Sequence, residues 1–461
     1  MFYTIASNFV SALLSAIVTF IAPKMLGVDD YGYFQLFTFY CTYIGFLHFG
    51  LADGVVLRYA GKYYSDLNKS LFSGQFYILT AFEILLSSCA LVVFHKACSG
   101  ARAFVWCFVC LAIVFTIPRY FLQLTLQATN RIKEYAFVVV IEKLGYLLAL
   151  IGVVVLKINY WQAYVGAELF GRAMALVYVL YACKGIILTK PERFIYCIVE
   201  IRNNIIPGIK ITFAAIASML IIGTIRISIE NQWDIGTFGK VSLTLSVSNL
   251  LMLFIRAVAL VMFPMLRRTD ESKLSGIYSK MRTCLMIPLL GMLVFYYPAK
   301  VILSAWLPQY ADSLIYMALL FPMCVFESKM SMLIETYMKT LRKEKWLLIV
   351  NLTTVGLSVA CTGITVYWLH NLDLAVVSIV VLLAFRCVLA ETLLSRAIEI
   401  DVKKDIACEL ALTAIFITAS WFIGGVAGLA VYLAAYVAYL FIKRKSIADM
   451  AVMVKSKIIH S

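Results

Sequence analysis

The sequence predicts an all-α polytopic membrane protein of about fourteen transmembrane helices, and three observations carry the prediction. The chain of 461 residues is 63% hydrophobic and only 14% charged, whereas ordinary soluble chains are about 45–50% apolar and about 25% charged. Apolar segments of about 18–25 residues recur along its whole length, each sufficient to cross a ~30 Å hydrocarbon core. The short loops between those segments alternate between rich and poor in Lys and Arg, which fixes one topology.

The expected spans are 2–22, 32–52, 74–94, 104–126, 136–156, 160–181, 208–228, 240–264, 283–304, 312–335, 346–368, 373–395, 405–423 and 426–442. Met1 to Phe20 has neither a basic leader nor a small-residue cleavage site, so it reads as the first span rather than a signal peptide. One set of loops, with the C-terminal tail, holds 26 of the 40 Lys and Arg residues. It includes Arg58, Lys62 and Lys69, then Arg131 and Lys133, then Lys184, Lys190, Arg193 and Arg202. Later members are Arg267 to Arg282, Lys339 to Lys345, Arg396 to Lys404, and the tail after Lys443. The opposite loops hold only Lys24, Lys96, Arg102 and Lys157, so both termini are expected in the cytoplasm. The net charge of +15 punctuates apolar spans rather than forming a soluble basic face, which argues against nucleic acid as a partner.

The twelve cysteines are scattered, mostly in apolar runs. Cys107 and Cys110 have CxxC spacing but no second pair or histidine nearby, and read as small buried apolar residues with no metal role. Aromatic residues such as Tyr59, Tyr160, Trp161, Trp306 and Tyr310 fall at span ends, where interfacial anchoring accounts for them. Pro118, Pro264 and Pro298 lie in or near spans and are candidates for kinks.

The longest non-membrane stretch, 183–207, is a mixed-charge amphipathic segment bounded by Pro191 and Pro207, as an interfacial connector would be. It divides the chain into an N-terminal six-helix lobe (1–182), the cytoplasmic connector (183–207), a C-terminal six-helix lobe (208–396), and two extra helices with a basic tail (397–461). A weak internal repeat agrees. Asp30-Tyr31-Gly32-Tyr33-Phe34 opens the second span and Asp234-Ile235-Gly236-Thr237-Phe238 opens the eighth. Arg172 and Arg386 lie mid-span in the sixth and twelfth. Arg131-Ile132-Lys133-Glu134 and Arg342-Lys343-Glu344 precede the fifth and eleventh. Six spans per half is even, so the halves would be related by a pseudo-two-fold axis along the membrane normal, the plan of alternating-access transporters.

On these residues the chain resembles the polysaccharide-transporter branch of the multidrug/oligosaccharidyl-lipid/polysaccharide exporter superfamily. Leu26-Gly27-Val28-Asp29-Asp30-Tyr31-Gly32-Tyr33-Phe34 looks like that branch's first loop. Gly50-Leu51-Ala52-Asp53-Gly54 followed by Val56-Leu57-Arg58-Tyr59 resembles its second-span exit, and Phe263-Pro264 resembles its Pro-containing exit of span eight. Within it the chain looks most like a Wzx-type O-antigen flippase. That resemblance implies movement of undecaprenyl-diphosphate-linked repeat units to the outer leaflet of the bacterial inner membrane. It also implies work alongside a polysaccharide polymerase and a chain-length regulator.

The intramembrane charges give a bottom-up reason for an anionic cargo. They are Arg119, Lys143, Arg172, Lys210, Arg226, Lys240, Arg256, Lys300, Lys329 and Arg386. Each Lys or Arg near a span centre costs about 2.5–3.5 kcal/mol and must face a partner or water. A guanidinium fork binds phosphate oxygens in pairs, which suits a diphosphate. The candidate cavity residues are Arg58, Lys210, Arg226, Arg256, Arg172 and Arg386; the resemblance adds weight to Arg58, Lys210 and Arg226, on spans that line the family's cavity.

The plain reading is pairing for Arg172, Arg226 and Arg386, a topology charge at the inner face for Arg58, and snorkelling from a span end for Lys210. Glu168 stands four residues before Arg172, Glu230 four after Arg226, and Glu391 five after Arg386, whereas Arg256 has no acid within its span. Candidate ion-coupling acids are Glu83, Glu168 and Asp53. Glu83 lacks a cation at i±3 or i±4 and so is either a proton carrier or paired across helices. No bound cofactor is expected; energy would come from a proton or sodium gradient.

The alternatives are a MurJ-type lipid II flippase, a multidrug/cation antiporter, and, in another class, a membrane-embedded polymerase or transferase. The short outward loops, the dispersed His48, His95, His370 and His460, and the lack of a nucleophile–base pair disfavour the enzyme.

Overall fold

A computed structural model of the chain describes the backbone of residues 2–267 and 274–459, and the side chains of residues 9–250, 252, 275–343 and 345–444. Its described residues form helices joined by short turns, without strands. The protein is an all-α polytopic membrane protein. Among the described residues ten helices are long and apolar enough to cross a membrane, and a bent pair makes an eleventh candidate. Helices also occupy the other three expected spans, at the first, second and eighth positions.

The elements are α1 (Phe2–Met25), α2 (Val28–Ile44), α3 (Leu51–Tyr59), α4 (Lys69–Ala97), α5 (Ala101–Ala128), α6 (Ile132–Val155), α7 (Trp161–Ala182), α8 (Lys184–Ile187), α9 (Phe194–Gln232) and α10 (Ile235–Arg267). They continue as α11 (Leu274–Met292), α12 (Tyr296–Trp306), α13 (Tyr316–Leu320), α14 (Met323–Ser328), α15 (Glu335–Thr340), α16 (Glu344–Thr362), α17 (Leu372–Ala397), α18 (Lys403–Thr418) and α19 (Gly425–Ile459). Local chemistry sets several starts. The Asn68 side chain accepts from the Leu71 amide at 3.3 Å to cap α4, and Asn371 caps α17 by accepting from Leu374 at 3.0 Å.

The chain forms two units. One comprises Met1–Ile216 with Ile235–Gly239; the other comprises Ala217–Asp234 with Lys240–Ser461. In the first unit α5 is the most enclosed span, packed by α2, α3, α4 and α7, and α6 lies against both α1 and α7. In the second, α17 is central, contacted by α13, α14 and α16. Large apolar side chains such as Leu85, Val93, Val177, Val301 and Phe422 point outward, which suits a lipid surround.

The second expected span, 32–52, is not one helix. It breaks between Ile44 and Leu51, where Phe46, Leu47 and Phe49 donate three residues back rather than four. Phe49 (φ 51°) and Gly50 (φ 86°) take left-handed backbone, and the Gly50 amide donates to His48 Nδ1 at 2.9 Å. A glycine is required at this point, because a Cβ there would also run into the backbone of Gly208 and Ile209. No proline marks the break, so hydropathy alone does not show it.

The amphipathic stretch ahead of span seven joins that span without a break. Its second half is already helical, and α9 continues through Pro207 for 39 residues without interruption. Span ten is bent by 44° between Pro308–Leu320 and Met323–Thr340. Pro322 lies at the bend, and the chain then forms a π-helical turn at Lys329–Ile334. Two further π-turns close spans eleven and thirteen, at Gly363–Trp368 and Ala419–Ile423.

Small residues let backbones meet inside the first unit. A side chain added at Gly54 would overlap the Asn204 carbonyl, and one at Gly208 would overlap the Gly50 carbonyl, so α3 and α9 cross in direct backbone contact. Gly50 and Gly54 form a small-xxx-small face of the kind that drives close helix crossings in membranes. Gly208→Leu should therefore lower stability by about 3 kcal/mol or more, whereas Gly27→Ala, with open space around it, should be near neutral. Thermal melts of the purified full chain in detergent check the pair.

Candidate functional site

The first unit contains a polar cluster where α3 meets α4 and α9. Asp53, in the first turn of α3, accepts from the Thr212 hydroxyl at 2.7 Å. His48 Nε2 stands 4.0 Å from the same carboxylate, and the ring stacks on Tyr120 of α5. One and a half turns further along α3, Arg58 donates to Glu200 Oε1 at 2.7 Å and also to Asn204. Tyr59 donates to Glu200 at 2.7 Å, and Asn204 donates onward to buried Gln75 at 2.8 Å. The i, i+4 spacing of Glu200, Asn204 and Gly208 places all three on one stripe of α9, against α3. Of the predicted cavity residues, Arg58 is thus held in this cluster, partly exposed. Lys210, on the same helix, is exposed.

Deeper in the unit two ion pairs neutralise two buried guanidinium groups. Arg119 pairs with Glu142 at 2.7 Å across α5 and α6, and also donates to Gln123. Arg172 pairs with Glu168 one turn earlier on α7 and donates to Thr116 at 3.0 Å. The intrahelical spacing expected from the sequence is therefore realised at Arg172. Glu83 on α4 differs from all of these. It is fully buried, and among the described residues neither carboxylate oxygen has a hydrogen-bond partner. A carboxylate left bare in such a place is costly, so its lack of a partner sets it apart from the paired acids.

The second unit carries a larger charge cluster, built on three of its spans and the C-terminal pair. Arg386 is 1% exposed and its fork is filled: Nε donates to Asn351 at 2.9 Å, Nη1 to Glu327 at 2.9 Å and Nη2 to Glu335 at 3.3 Å. Glu391, five residues on, does not serve it. That carboxylate instead accepts from Arg282 Nε at 2.7 Å, from the Tyr278 hydroxyl at 2.9 Å, and from Lys329. Glu409 on α18 pairs with Lys329 and Arg282, each at 2.7 Å. Asp405 joins Arg282 to Lys443 of α19. Three cations and three carboxylates therefore meet at balance, with Arg282, Lys329, Glu391 and Glu409 all nearly inaccessible. The π-turn at Lys329–Ile334 is where Lys329 leaves its helix.

This cluster was not legible as a unit. Arg282 reads as one more loop cation, and Glu391 reads as the partner of Arg386. The available signal was Asp405 and Glu409 at i, i+4 on an apolar helix, two acids on one face with no cation of their own helix between them. Arg226 donates to Ser242 at 2.9 Å. The side chain of Arg256 lies outside the described residues. The structure thus sets both Asp53 and Arg58 of α3 against residues of α9, and engages Arg172 and Arg386 with carboxylates in their own units. Among the described residues, the predicted cations of each unit are not gathered at one point.

No family model matches the sequence, and no curated protein matches it. Solved structures do share its architecture, among them the following two. One is titled "Lipid II flippase MurJ, inward closed conformation": TM-score 0.60, 12% identity, covering 97% of this chain and 99% of that chain. The other is titled an inward-facing conformation of a multidrug resistance MATE family transporter of the MOP superfamily: TM-score 0.56, 12% identity, covering 89% of this chain and 95% of that one. At this identity the likeness is one of fold, and it extends over nearly all of both chains. The protein has the fold of these transporters, down to its last two helices in the first comparison.

Removing one member of the balanced cluster leaves a buried charge unmatched, which typically costs 3–5 kcal/mol. Glu391→Leu should lose stability in that range in a detergent melt. Arg58→Gln, at a partly exposed pair, should lose at most about 1 kcal/mol. Equal melting points for the two variants would contradict the placement of Glu391 in a buried, charge-balanced cluster.

Proposed function

We propose that the protein is a flippase that moves undecaprenyl-diphosphate-linked oligosaccharide repeat units, of O-antigen or a related surface polysaccharide, from the cytoplasmic to the outer leaflet by alternating access. The observation that carries this reading is the near-complete match of fold with a protein whose title names it a lipid II flippase. A chain that is almost entirely membrane-spanning leaves little room for a soluble catalytic domain, which supports transport over a polymerase or transferase. In this reading the protein sits in the bacterial inner membrane with both termini cytoplasmic, beside a polysaccharide polymerase and a chain-length regulator.

The diphosphate is the part of such a cargo that most needs protein help, because it carries charge into a low-dielectric interior. Lys210, Arg226, Arg256 and Arg58 are the cations assigned to it. Lys210 is exposed and Arg58 partly so, and neither requires the loss of a fully buried ion pair to reach a ligand. Arg172 and Arg386 hold their lobes together around Glu168 and around Glu327 and Glu335 in this scheme, and tune the walls of the path rather than touching phosphate. Glu83, bare and buried, is the carrier of a coupling proton, since a group that alternates between neutral and ionised needs no permanent counter-charge. Asp53 beside His48 and Thr212 is the second candidate for an ion from a proton or sodium gradient.

A second reading, transport of lipid II itself, is favoured by the same match of fold. The two differ in the sugar carried, not in the diphosphate chemistry. Complementation separates them: the chain should restore surface polysaccharide in a strain lacking its own flippase, and should fail to support growth of a strain lacking lipid II transport. The opposite pattern would replace the first reading with the second.

Within the first reading, Arg256→Ala and Lys210→Ala should each reduce surface polymer at normal protein abundance, by about tenfold if one charged hydrogen bond to phosphate is lost. Arg256→Lys should recover only part, because an ammonium does not reproduce the fork. Glu83→Gln should fold normally yet abolish the response of lipid transport to an imposed pH gradient in proteoliposomes. Full pH-driven transport by that variant would remove Glu83 from energy coupling.

A further inference from the structure

The stretch from Lys184 to Ile206 carries a surface that the transport path does not use. Helix α9 is 39 residues long, which at 1.5 Å per residue is about 58 Å, nearly twice the ~30 Å hydrocarbon core. Its first turns therefore lie outside the core. One stripe of those turns faces inward. Cys197 meets Gly74, Glu200 takes Arg58 and Tyr59, and Asn204 takes Gln75. The preceding segment is tied to the same helix α4: Ser73 donates to the Thr189 carbonyl at 2.8 Å, Tyr77 donates to that of Ile187 at 2.9 Å, and the Glu192 amide donates to that of Ser70 at 3.2 Å.

The other side of the stretch is bare. Leu188 is 82% exposed, Ile195 74% and Phe194 67%, and Ile198, Val199 and Ile206 are exposed beside them. Lys184, Lys190, Arg193 and Arg202 frame this arc and are exposed too. Arg202 stands four residues after Ile198, on the apolar arc itself, where its stem can lie along hydrocarbon while the guanidinium rises to phosphate level. The acids of the stretch are Glu192, which is exposed, and Glu200, which is turned inward to Arg58. An apolar arc of this size is not left facing water. Its setting at the end of a membrane helix, with a basic frame, matches a helix seated on a negatively charged bilayer surface.

We infer that Lys184 to Ile206 is a docking surface for anionic phospholipids of the leaflet on the cation-rich side of the protein. Lys184, Lys190, Arg193 and Arg202 hold the headgroup phosphates, and Leu188, Phe194, Ile195, Ile198, Val199 and Ile206 rest at the boundary between headgroups and acyl chains. Because the inward stripe of the same helix grips Arg58, lipid occupancy is felt at α3 through Glu200 and Asn204. This inference stands whatever the cargo.

The test uses the full chain in nanodiscs with a photoreactive p-benzoyl-phenylalanine at position 195 (Ile195→p-benzoyl-phenylalanine), irradiated in mixtures of phosphatidylglycerol and phosphatidylcholine. Phosphatidylglycerol should be captured in preference, on the order of tenfold over its share of the mixture. Replacing Lys184, Lys190, Arg193 and Arg202 together by Gln should bring capture to parity at an unchanged melting point. If that variant does not fold, Lys190→Gln and Arg202→Gln, taken singly, should each reduce the preference. Equal capture of the two lipids by the parent chain, or a preference that survives the glutamines, overturns the inference. Capture of no lipid overturns it as well, and marks the face as exposed to water or covered by protein.

Discussion

Charge neutrality at short range is the constraint on which this structure rests. In hydrocarbon a lone guanidinium or carboxylate is not tolerated, and among the described residues most deeply buried ions are met by an opposite one within hydrogen-bond reach. Arg119 has Glu142, Arg172 has Glu168, Arg386 has Glu327 and Glu335, and Arg282 and Lys329 share Glu391 and Glu409. All but the Arg172–Glu168 pair, which lies within α7, link helices that hydrophobicity alone does not orient, since lipid tails compete equally for apolar side chains. The six-member cluster has a further effect. It bonds α18 and α19 to α11 and α17, so the C-terminal pair belongs to the second unit by electrostatics as well as by packing.

Against that background Glu83 stands apart. It shares the burial of the paired carboxylates and lacks their partners among the described residues. A wholly structural acid at this position would gain from a neighbouring base, as Glu142 and Glu391 do. The contrast between paired and unpaired acids gives a physical basis for separating scaffold from chemistry.

Much of the architecture was legible from hydropathy. All fourteen expected segments fall on helical backbone, the second interrupted and the tenth bent, because a run of some twenty apolar residues has few other ways to satisfy its backbone in lipid. What hydropathy does not register is backbone geometry. The break at His48-Phe49-Gly50 is made by a side chain capping a glycine amide, and neither residue lowers the apolar score enough to interrupt the span. The continuation of α9 through Pro207 was hidden for the opposite reason, since a proline and a charged stretch read as a boundary. Local pairing was legible where it lay within one helix, as for Glu168 and Arg172. It was not where partners come from different spans, as for Arg386 with Asn351 and Glu327, or Arg282 with Glu391 and Glu409. Sequence spacing reports neighbours along a helix and is silent about neighbours across one.

The glycine contacts between α3 and α9 leave no slack where the two helices cross. Carbonyl rests on α-carbon, so sliding or rolling one helix over the other would drive backbone into backbone. The two must travel as a single stiff lever. Bending along the second span is then confined to its looser joint, the turn from Gly45 to Phe49, whose tightened hydrogen bonds leave it less strongly held than regular helix on either side.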